Sequence, residues 1–339
     1  MKIYPFFIPH GGCPHSCRFC CQKTVSGQVQ APSPRQIAEG LDEMVPSQGD
    51  GEVAFYGGSF TLLEPALQQQ YLRQVAPYIS AGRVSGVRVS TRPDAVDGET
   101  AGNLVDGGVK TVELGCQSFC PDVLAACGRG HAPTDIEEAV QALRFRSLGV
   151  GLQLMPGLPQ GGRKEALYSL RRALSLEPDF IRIYPTVVLR NTLLEADYYR
   201  GDYKPLGLEE AVAICAEMLW HCHRAQVPVI RLGLQATEAL ERNGAVVAGP
   251  YHPAFGALVR SRIWRQALSS MVALARCSEV RVHPADLSDV LGHRRDNLAY
   301  FYSRGSKPSF RSDEKIFRNH FRVGRRTFQV HEVAVFDPL

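Results

Sequence analysis

Near the start of the chain stands Cys13-Pro14-His15-Ser16-Cys17-Arg18-Phe19-Cys20, which places three cysteines in a C-x3-C-x2-C pattern. A short apolar run precedes it, so the pattern falls on a loop that follows a first strand. Loop cysteines at this spacing can curl until their sulfurs converge on one cubane 4Fe-4S cluster. Three thiolates would hold three of the irons and leave the fourth iron free to chelate a small molecule.

Two other interpretations of these cysteines stay open. A zinc site could use them if His10 or His15 supplied the fourth ligand, although zinc usually takes two C-x2-C pairs and no second pair follows here. They could also be ordinary buried thiols. That is how we interpret the other cysteines of the chain, which are Cys21, Cys116, Cys120, Cys127, Cys215, Cys222 and Cys277.

The composition indicates a globular protein without a membrane span or a secretion signal. The chain has 339 residues, of which 45% are hydrophobic, enough for one large core and a smaller module. No apolar stretch reaches the roughly 20 residues that cross a bilayer, and the N-terminus does not resemble a signal peptide. Ten cysteines are too sparse for a disulfide scaffold, and free thiolates need a reducing compartment. We therefore expect a cytoplasmic protein.

Six short apolar runs alternate with helical patterns along the first part of the chain. The runs begin near Ile3, Val53, Val87, Val109, Val150 and Phe180, at intervals of roughly 30 residues. This alternation predicts an α/β fold, a partial (β/α)6 parallel barrel or open parallel sheet, with the chemistry at the carboxyl ends of the strands. Between two of the runs, Thr134-Asp135-Ile136-Glu137 predicts a capping box at the start of a helix.

The organisation changes after residue 235. We predict a core barrel over residues 1–235, a connector with one helix over 236–277, and a small basic α/β module over 278–339. The net charge of the whole chain is +4, but residues 292–326 alone contain 10 Lys and Arg against 3 Asp and Glu. Such a local excess of positive charge would attract an anionic partner such as a nucleic acid.

Polar and glycine-rich segments follow the predicted strands. The second strand leads into Gly57-Gly58-Ser59 and the third into Thr91-Arg92-Pro93-Asp94, while Glu113 and Gln117 belong to the fourth run and Gln153 to the fifth. Taken alone, the glycines also suit a plain turn, and Arg92 also suits a solvated surface. A Glu within an apolar strand is costly to bury without partners, so we expect Glu113 and Gln117 to line a polar pocket.

The segment from Gly12 to Cys20 resembles the cluster loop of the radical S-adenosylmethionine (SAM) enzymes. In that superfamily the methionine amino and carboxylate groups of SAM chelate the open iron, and an electron from the cluster cleaves SAM to a 5′-deoxyadenosyl radical. The resemblance implies that Cys13, Cys17 and Cys20 hold a 4Fe-4S cluster. It also implies a set of SAM contacts, namely Phe19, Gly57, Gly58, Ser59, Thr91, Arg92, Gln117, Arg129 and Gln153. Ser59 stands where many members have Glu.

Several segments resemble, more specifically, the radical SAM half of the Elongator catalytic subunit, with weaker similarity to oxygen-independent coproporphyrinogen oxidase. They are Thr91–Asp94, Val112–Ser118, Arg129–His131, Ile183–Thr192 and Tyr199–Tyr203, so the similarity covers about residues 5–235. It places Glu113, Tyr184 and Arg190 in the catalytic or substrate pocket. Taken alone, Tyr184 and Arg190 also suit packing at the barrel end with a surface charge. The Elongator subunit also carries an acetyltransferase domain, and this sequence shows no Gly-rich pyrophosphate turn of that kind. The resemblance therefore does not imply that this chain carries out the acetyl-CoA-dependent carboxymethylation of wobble uridine.

The basic module contains a turn, Gly292-His293-Arg294-Arg295, that resembles the Gly-x-x-Gly loop of KH RNA-binding domains, with Arg295 in place of the second glycine. We predict that His293, Arg294 and Arg295 contact RNA there. Nearby aromatic residues would cover or stack on bases, namely Tyr300, Phe301, Tyr302 and Phe310. The alternative is a small cap whose aromatic residues are core and whose charges are solvated.

Together, the motifs favour a radical SAM enzyme that modifies RNA, most simply tRNA. Such an enzyme needs a one-electron reductant such as flavodoxin or ferredoxin, and no membrane partner is expected. A radical SAM enzyme acting on a small metabolite is one alternative, and a non-catalytic cluster-binding protein is the other. The glycine turn, Gln117 and Arg129 argue against the non-catalytic protein, because electron transfer alone needs no SAM pocket.

Overall fold

The computed structural model describes residues 2–14, 17–28, 30–237, 240–241, 244–271, 279–336 and 339. Strands and helices alternate from the N-terminus in this order: β1 (Ile3–Phe7), α1 (Gln22–Ser26), α2 (Pro34–Met44), β2 (Glu52–Tyr56), α3 (Pro65–Ser80), β3 (Gly86–Thr91), α4 (Gly98–Asp106), β4 (Val109–Gln117), α5 (Pro121–Ala126), α6 (Pro133–Phe145), β5 (Gly149–Leu154), α7 (Arg163–Ser175), β6 (Phe180–Ile183), β7 (Val188–Leu189), α8 (Leu193–Arg200), α9 (Leu208–Arg224), β8 (Val229–Leu232), β9 (Val246–Ala248) and α10 (Phe255–Ser269).

Seven of these strands form one parallel sheet in the order β1-β2-β3-β4-β5-β6-β8. The sheet is a half-barrel, which confirms the predicted fold class, and all six predicted runs lie in it. The seventh strand, β8, was not predicted. Three of its four residues are apolar, as in β6, but all four are half-buried or exposed. Strands β7 and β9 pair antiparallel with each other.

The helices bury their apolar faces against one side of the sheet. In α2, Ser33 caps the first turn by accepting a hydrogen bond from the backbone N–H of Gln36 at 3.3 Å, and Pro34 takes the first helical position. The apolar residues Ile37 and Leu41 of the same helix are fully buried. The core thus lies between helices and sheet, which leaves the opposite face of the strands for polar groups.

Helix α6 begins earlier than the predicted capping box. It starts at Pro133, and Asp135 provides the cap by accepting a hydrogen bond from the backbone N–H of Ala132 at 2.7 Å. The prediction that Thr134 caps this helix is therefore wrong. A proline is favoured at the first helical position, and an Asp two residues later can reach back to the free N–H before it.

The C-terminal residues form a second, separate sheet with short helices, as predicted. Its elements are β10 (Glu279–Val282), α11 (Leu287–Leu291), α12 (Asp296–Ser303), β11 (Ser309–Ser312), β12 (His320–Val323), β13 (Arg326–Gln329) and α13 (Val330–Val333). The strand order is β11-β10-β12-β13, in which β10 runs parallel to β11 and antiparallel to β12.

The module and the barrel share one hydrophobic core. Trp220 of α9 donates its indole N–H to the backbone carbonyl of His331 at 2.8 Å. The ring centroid of Trp264 in α10 lies 5.9 Å from that of Phe321 in β12. Helices α9 and α10 therefore join the two sheets.

The cysteines outside the cluster loop are mostly core thiols, as expected. Four of them are buried, namely Cys116, Cys127, Cys215 and Cys222, while Cys21 and Cys120 are half-buried. Cys277 lies outside the described residues. Within the described ranges, no helix is both long enough and apolar enough to cross a membrane.

Candidate active site

The carboxyl ends of the strands meet at one edge of the sheet, and most of the predicted site residues lie there. Gly57 follows β2, Thr91 ends β3 and Gln117 ends β4. The loop that follows β1 reaches the same edge, because the backbone N–H of Ser59 donates to the carbonyl oxygen of Gly11 at 2.8 Å. The fold therefore brings the cluster loop beside the glycine turn.

Hydrogen bonds between His10 and Gln22 connect the two ends of the cluster loop. The side-chain oxygen of Gln22 accepts from the backbone N–H of His10 at 2.6 Å, and the backbone N–H of Gln22 donates to Nε2 of His10 at 3.1 Å. This ring nitrogen is thus engaged within the loop, which disfavours the alternative of His10 as a zinc ligand. His15, the other candidate for that role, lies outside the described residues.

Two of the three cysteines of the loop have polar neighbours that suit thiolates. Nη1 of Arg129 donates to the Cys17 sulfur at 3.3 Å, and the Ser59 hydroxyl lies 3.4 Å from the Cys13 sulfur. Burial, together with neighbouring Cys17 and Cys13, raises the pKa of the Cys20 thiol to about 12. Among the described residues, no three Cys, His, Asp or Glu side chains form a metal-binding set. A cationic metal centre is what would deprotonate these thiols together.

Arg129 is a buried cation at the centre of the site. It is 7% exposed, its Nη2 donates to the carbonyl oxygen of Gly115 at 2.5 Å, and its Nε has no hydrogen-bond partner. No carboxylate in the described part of the chain forms an ion pair with it. A buried guanidinium without a counterion is costly, so the site suits a bound anionic group. Three thiolates on an iron-sulfur cluster, or the carboxylate of an amino acid, would fit this requirement.

The glycine turn packs directly on the cluster loop. A Cβ on Gly58 would stand 2.2 Å from the carbonyl oxygen of Gly11. A Cβ on Gly12, whose φ is +71°, would stand 2.3 Å from the carbonyl oxygen of Ser59. Gly57 has more room, since its nearest contact would be a side-chain oxygen at 3.4 Å. Glycine is therefore required at both contact positions to hold the loop against the sheet.

Thr91 and Arg92 are engaged with protein groups. The hydroxyls of Thr91 and Thr61 are 2.6 Å apart. Arg92 is only 2% exposed and donates to both carboxylate oxygens of Asp94 and to the carbonyl oxygen of Arg129, the last at 2.5 Å. It is therefore not a solvated surface residue, and its contacts hold the segment that carries Arg129.

Gln117 and Gln153 form a pair of amides at the ends of β4 and β5. Nε2 of Gln153 donates to Oε1 of Gln117 at 2.9 Å. Gln117 has a φ of +68° and lies at a break in the pairing of the two strands. A non-glycine residue in this region of backbone space is strained, and such strain is typical of functional sites.

The face of the sheet opposite the helices carries a buried network of charges. Arg88 of β3 lies between two carboxylates, 2.6 Å from Glu52 and 3.0 Å from Glu113. Arg182 of β6 lies 3.0 Å from the other oxygen of Glu113, and the Tyr56 hydroxyl donates to Glu113 at 3.1 Å. Burial, with the Glu113 charge added, raises the pKa of Tyr56. Two carboxylates and two guanidinium groups balance in charge, so this polar network can be buried.

Glu113 was predicted to have polar surroundings, but its partners Arg88 and Arg182 were not identified. The signal was present, because polar and charged residues at every second position of an otherwise apolar strand all point to one face. Arg88 and Arg182 each fall within such a run. Alternation inside short apolar strands is therefore the pattern that reveals this inner face.

Three other predicted residues are spread around this centre. The Tyr184 hydroxyl accepts from Nη1 of Arg182 at 3.3 Å, which brings Tyr184 to the charge network. Phe19 is 9% exposed and packs in an apolar cluster with Cys17. Arg190 is exposed just after β7, so the structure does not bring its side chain into the same network.

The predicted RNA-binding residues form an exposed turn between α11 and α12. His293, Arg294 and Arg295 are all exposed. Arg294 and Arg295 have φ values of +51° and +63°, an unusual backbone for two consecutive non-glycine residues. Among the four aromatic residues predicted to meet bases, Tyr302 is 51% exposed while Phe301 is only 5% exposed. Phe301 is therefore a core residue and cannot stack on a base.

Family profiles and solved structures agree with this architecture. The profile of the radical SAM superfamily matches residues 7–171, and that of the radical SAM C-terminal domain matches residues 178–265. Among solved structures, the archaeal Methanocaldococcus infernus Elp3 matches with a TM-score of 0.62 at 21% identity, over 91% of this chain and 68% of that chain. At this level of identity the structural match supports the fold alone.

Relatives in sequence match parts of the chain. An uncharacterized protein of Methanocaldococcus jannaschii is 28% identical over 221 residues, which are 63% of this chain and 65% of the relative. The tRNA uridine(34) acetyltransferase of the same organism is 34% identical over 129 residues, which are 37% of this chain and 24% of the relative. The chain thus spans less than two thirds of the length of these relatives. With the half-barrel, the two profiles and the three-cysteine loop at the strand ends, the chain belongs to the radical SAM superfamily.

Proposed function

We propose that this chain is a radical SAM enzyme in which Cys13, Cys17 and Cys20 hold a 4Fe-4S cluster, and that its substrate is RNA, most simply tRNA. The buried Arg129 carries the proposal, because a cation without a carboxylate partner lies 3.3 Å from the Cys17 sulfur at the carboxyl edge of the sheet. When bound, the cluster supplies the electron that cleaves SAM to a 5′-deoxyadenosyl radical. A reductant such as flavodoxin or ferredoxin would deliver that electron.

The residues around the loop would hold SAM through different groups. Arg129 suits the methionine carboxylate, because that anion would neutralise its buried charge. The turn at Gly57 suits the methionine amino group, and the amides of Gln117 and Gln153 suit ribose hydroxyls. Phe19, Gly58, Ser59, Thr91 and Arg92 complete the proposed SAM site. Because Gly58 and Arg92 already contact the cluster loop and the Arg129 segment, we expect them to act by holding those segments in place.

The charge network beneath this edge would form the floor of the substrate pocket. Glu113 already has Arg88, Arg182 and Tyr56 as partners, so we propose that it positions its neighbours. Tyr184 accepts one hydrogen bond from Arg182 and keeps its own hydroxyl hydrogen for a substrate acceptor. Arg190, exposed just after β7 and outside this network, would meet a large substrate before a small one.

An RNA substrate is supported by two observations. One relative bears the name tRNA uridine(34) acetyltransferase. The exposed turn with Arg294 and Arg295 offers two cations to phosphates. Because this chain spans only 24% of that relative, acetyl transfer is not part of the proposal.

A small-metabolite substrate is the second candidate, and the pairing of arginines in the basic module favours it. Arg318 contacts Asp286 at 2.5 Å and Arg322 contacts Asp313 at 2.5 Å. Paired arginines attract phosphates less than solvated ones do. Mass spectrometry of total tRNA nucleosides, with and without the gene, separates the two candidates, since only an RNA-modifying enzyme leaves a missing nucleoside.

The radical SAM assignment itself is tested with anaerobically reconstituted protein. We expect about four irons per chain and, after reduction with dithionite, the formation of 5′-deoxyadenosine from SAM. Cys13→Ala should lose both the iron and the product. Cys21→Ala is the matched control, a neighbouring loop cysteine that should retain both. Full iron content in Cys13→Ala would refute the ligand assignment, and a cluster that never cleaves SAM would favour the non-catalytic alternative.

A further inference from the structure

Arg18 lies between the second and third cluster cysteines, and its side chain reaches α8. Its guanidinium donates through Nε and Nη2 to the two carboxylate oxygens of Asp197, at 2.8 and 2.5 Å. A two-pronged contact between Arg and a carboxylate fixes the orientation of both groups as well as their distance. The pair therefore holds two opposite charges beside the loop in a defined arrangement. Arg200 of α8 also contacts Asp197, but it has a second carboxylate partner in Asp202 at 2.8 Å.

The backbone of Arg18 is also held on both sides. Its N–H donates to the carbonyl oxygen of Cys127 at 3.0 Å, and its carbonyl oxygen accepts from the N–H of Leu194, the second residue of α8, at 2.7 Å. The Asp197 residue is only 5% exposed, whereas the Arg18 side chain is 34% exposed. Helix α8 therefore contacts the cluster loop, through hydrogen bonds, at the residue next to Cys17.

We propose that Arg18 and Asp197 are positioning residues that set the reduction potential of the cluster assigned to the three-cysteine loop. The inference rests on the proposed function. Net charge, hydrogen bonds and exposure to solvent govern the potential of an iron-sulfur cluster. A cation beside the loop stabilises the reduced, more negative cluster, and a carboxylate beside the loop opposes that effect. Asp197 thus masks the charge of Arg18, and removing either residue unbalances the pair.

The two single substitutions break the same ion pair but change the local charge in opposite directions. Arg18→Gln deletes a positive charge and should make reduction about tenfold less favourable, a fall of about 59 mV for a one-electron couple. Asp197→Asn deletes a negative charge, so reduction should become more favourable by a similar factor. Residues that served only to pack α8 on the loop would not give shifts of opposite sign.

The measurement is a redox titration of the reconstituted protein without SAM, followed by electron paramagnetic resonance of the reduced cluster, with iron content determined in parallel. Arg18→Lys keeps the charge but cannot bridge both carboxylate oxygens in the same way, so its reduction equilibrium should stay within about twofold of wild type. If Arg18→Gln retains too little iron, Arg18→Lys and Asp197→Asn carry the comparison. Glu39→Gln is the matched control, because it removes a carboxylate from the exposed Arg35–Glu39 pair on α2.

Opposite shifts in Arg18→Gln and Asp197→Asn, with none in Glu39→Gln, support the inference. Shifts of the same sign, or an unshifted Asp197→Asn protein, overturn it while leaving the cluster assignment intact. A wild-type chain that retains no iron after reconstitution overturns both the inference and the proposed function.

Discussion

Glu165, in the first turn of α7, is a buried carboxyl group whose two oxygens have different surroundings. Oε1 accepts from the hydroxyls of Ser118 and Ser169 at 2.5 and 2.6 Å, whereas Oε2 is buried without a hydrogen-bond partner. Burial raises the pKa of this carboxyl group, and the two serine hydroxyls lower it by less. The folded chain therefore keeps a proton on Glu165 at pH values where the unfolded chain has lost it.

This raised pKa predicts a pH-dependent effect of Glu165→Gln. The stabilising contribution of the protonated carboxyl is fully present below its unfolded pKa of about 4.3 and is lost as the pH rises through the folded value. Gln stays neutral and keeps the acceptor for both serines. The free energy of unfolding of the variant, relative to that of wild type, should therefore increase from about pH 5 to about pH 8. Urea denaturation at the two pH values measures the difference. An identical difference at both pH values would contradict the raised pKa.

At the scale of single residues, the sequence predicted which side chains lie at the strand ends better than what they contact. Arg92 follows a strand as expected, but it bonds to Asp94 and to the backbone of the Arg129 segment. Sequence alone could not show this, because the Arg129 carbonyl comes from a loop 37 positions further along the chain. Gly58 likewise meets the cluster loop only through the fold. Local chemistry is readable from sequence, whereas the partner of a polar group depends on tertiary contact.

At the scale of strands and helices, Arg88 joins three strands of the sheet through its two carboxylate partners. It is 5% exposed, and its guanidinium lies 4.8 Å from the ring centroid of Phe180 in β6. Arg88→Met should destabilise the fold by about 3–5 kcal/mol, because Glu52 and Glu113 would share a buried site with one cation fewer.

The matched control for Arg88 is Arg35→Met on α2, which removes the cation of an exposed Arg–Glu pair. Its side chain is 88% exposed, so the loss of stability should be within about 1 kcal/mol. Chemical denaturation of the two variants measures both values. A cost for Arg88→Met as small as that of the control would mean that the inner charge network contributes little to the stability of the barrel.

Whole strands and helices were predicted more reliably than their ends. The six predicted runs are mostly apolar, and most of their residues are buried in the sheet. Strand β8 is short and half-exposed, and it is recognised as a strand only through its pairing with β6. Helix α6 starts two residues before the predicted position, because Pro133 and Asp135 form a cap that competes with the one expected at Thr134.

At the scale of the whole molecule, the C-terminal module belongs to the same body as the barrel. Composition indicated a separate basic unit, but Trp220, Trp264 and Phe321 lie in a core common to both. Charge is read directly from sequence, whereas the docking of one sheet on another is decided by apolar residues scattered over several helices. The exposed turn at Arg294 and Arg295 is thus carried on a unit that is fixed to the barrel.

The two exposed cations of this turn lead to a prediction for RNA binding. The double variant Arg294→Glu/Arg295→Glu should bind tRNA more weakly than wild type in a filter-binding titration. If the two cations contact phosphates, the affinity of the variant should also depend less on salt. The slope of log affinity against log salt concentration should become shallower by roughly 0.7 to 0.9 for each phosphate that the variant no longer neutralises. Arg35→Glu/Arg73→Glu is the matched control, since it reverses two exposed cations on α2 and α3 and changes the net charge equally. Weakening in the first variant alone would place RNA at the turn. Equal affinities in all three proteins, or no binding of wild type at low salt, would leave the turn a structural feature and favour a small-metabolite substrate.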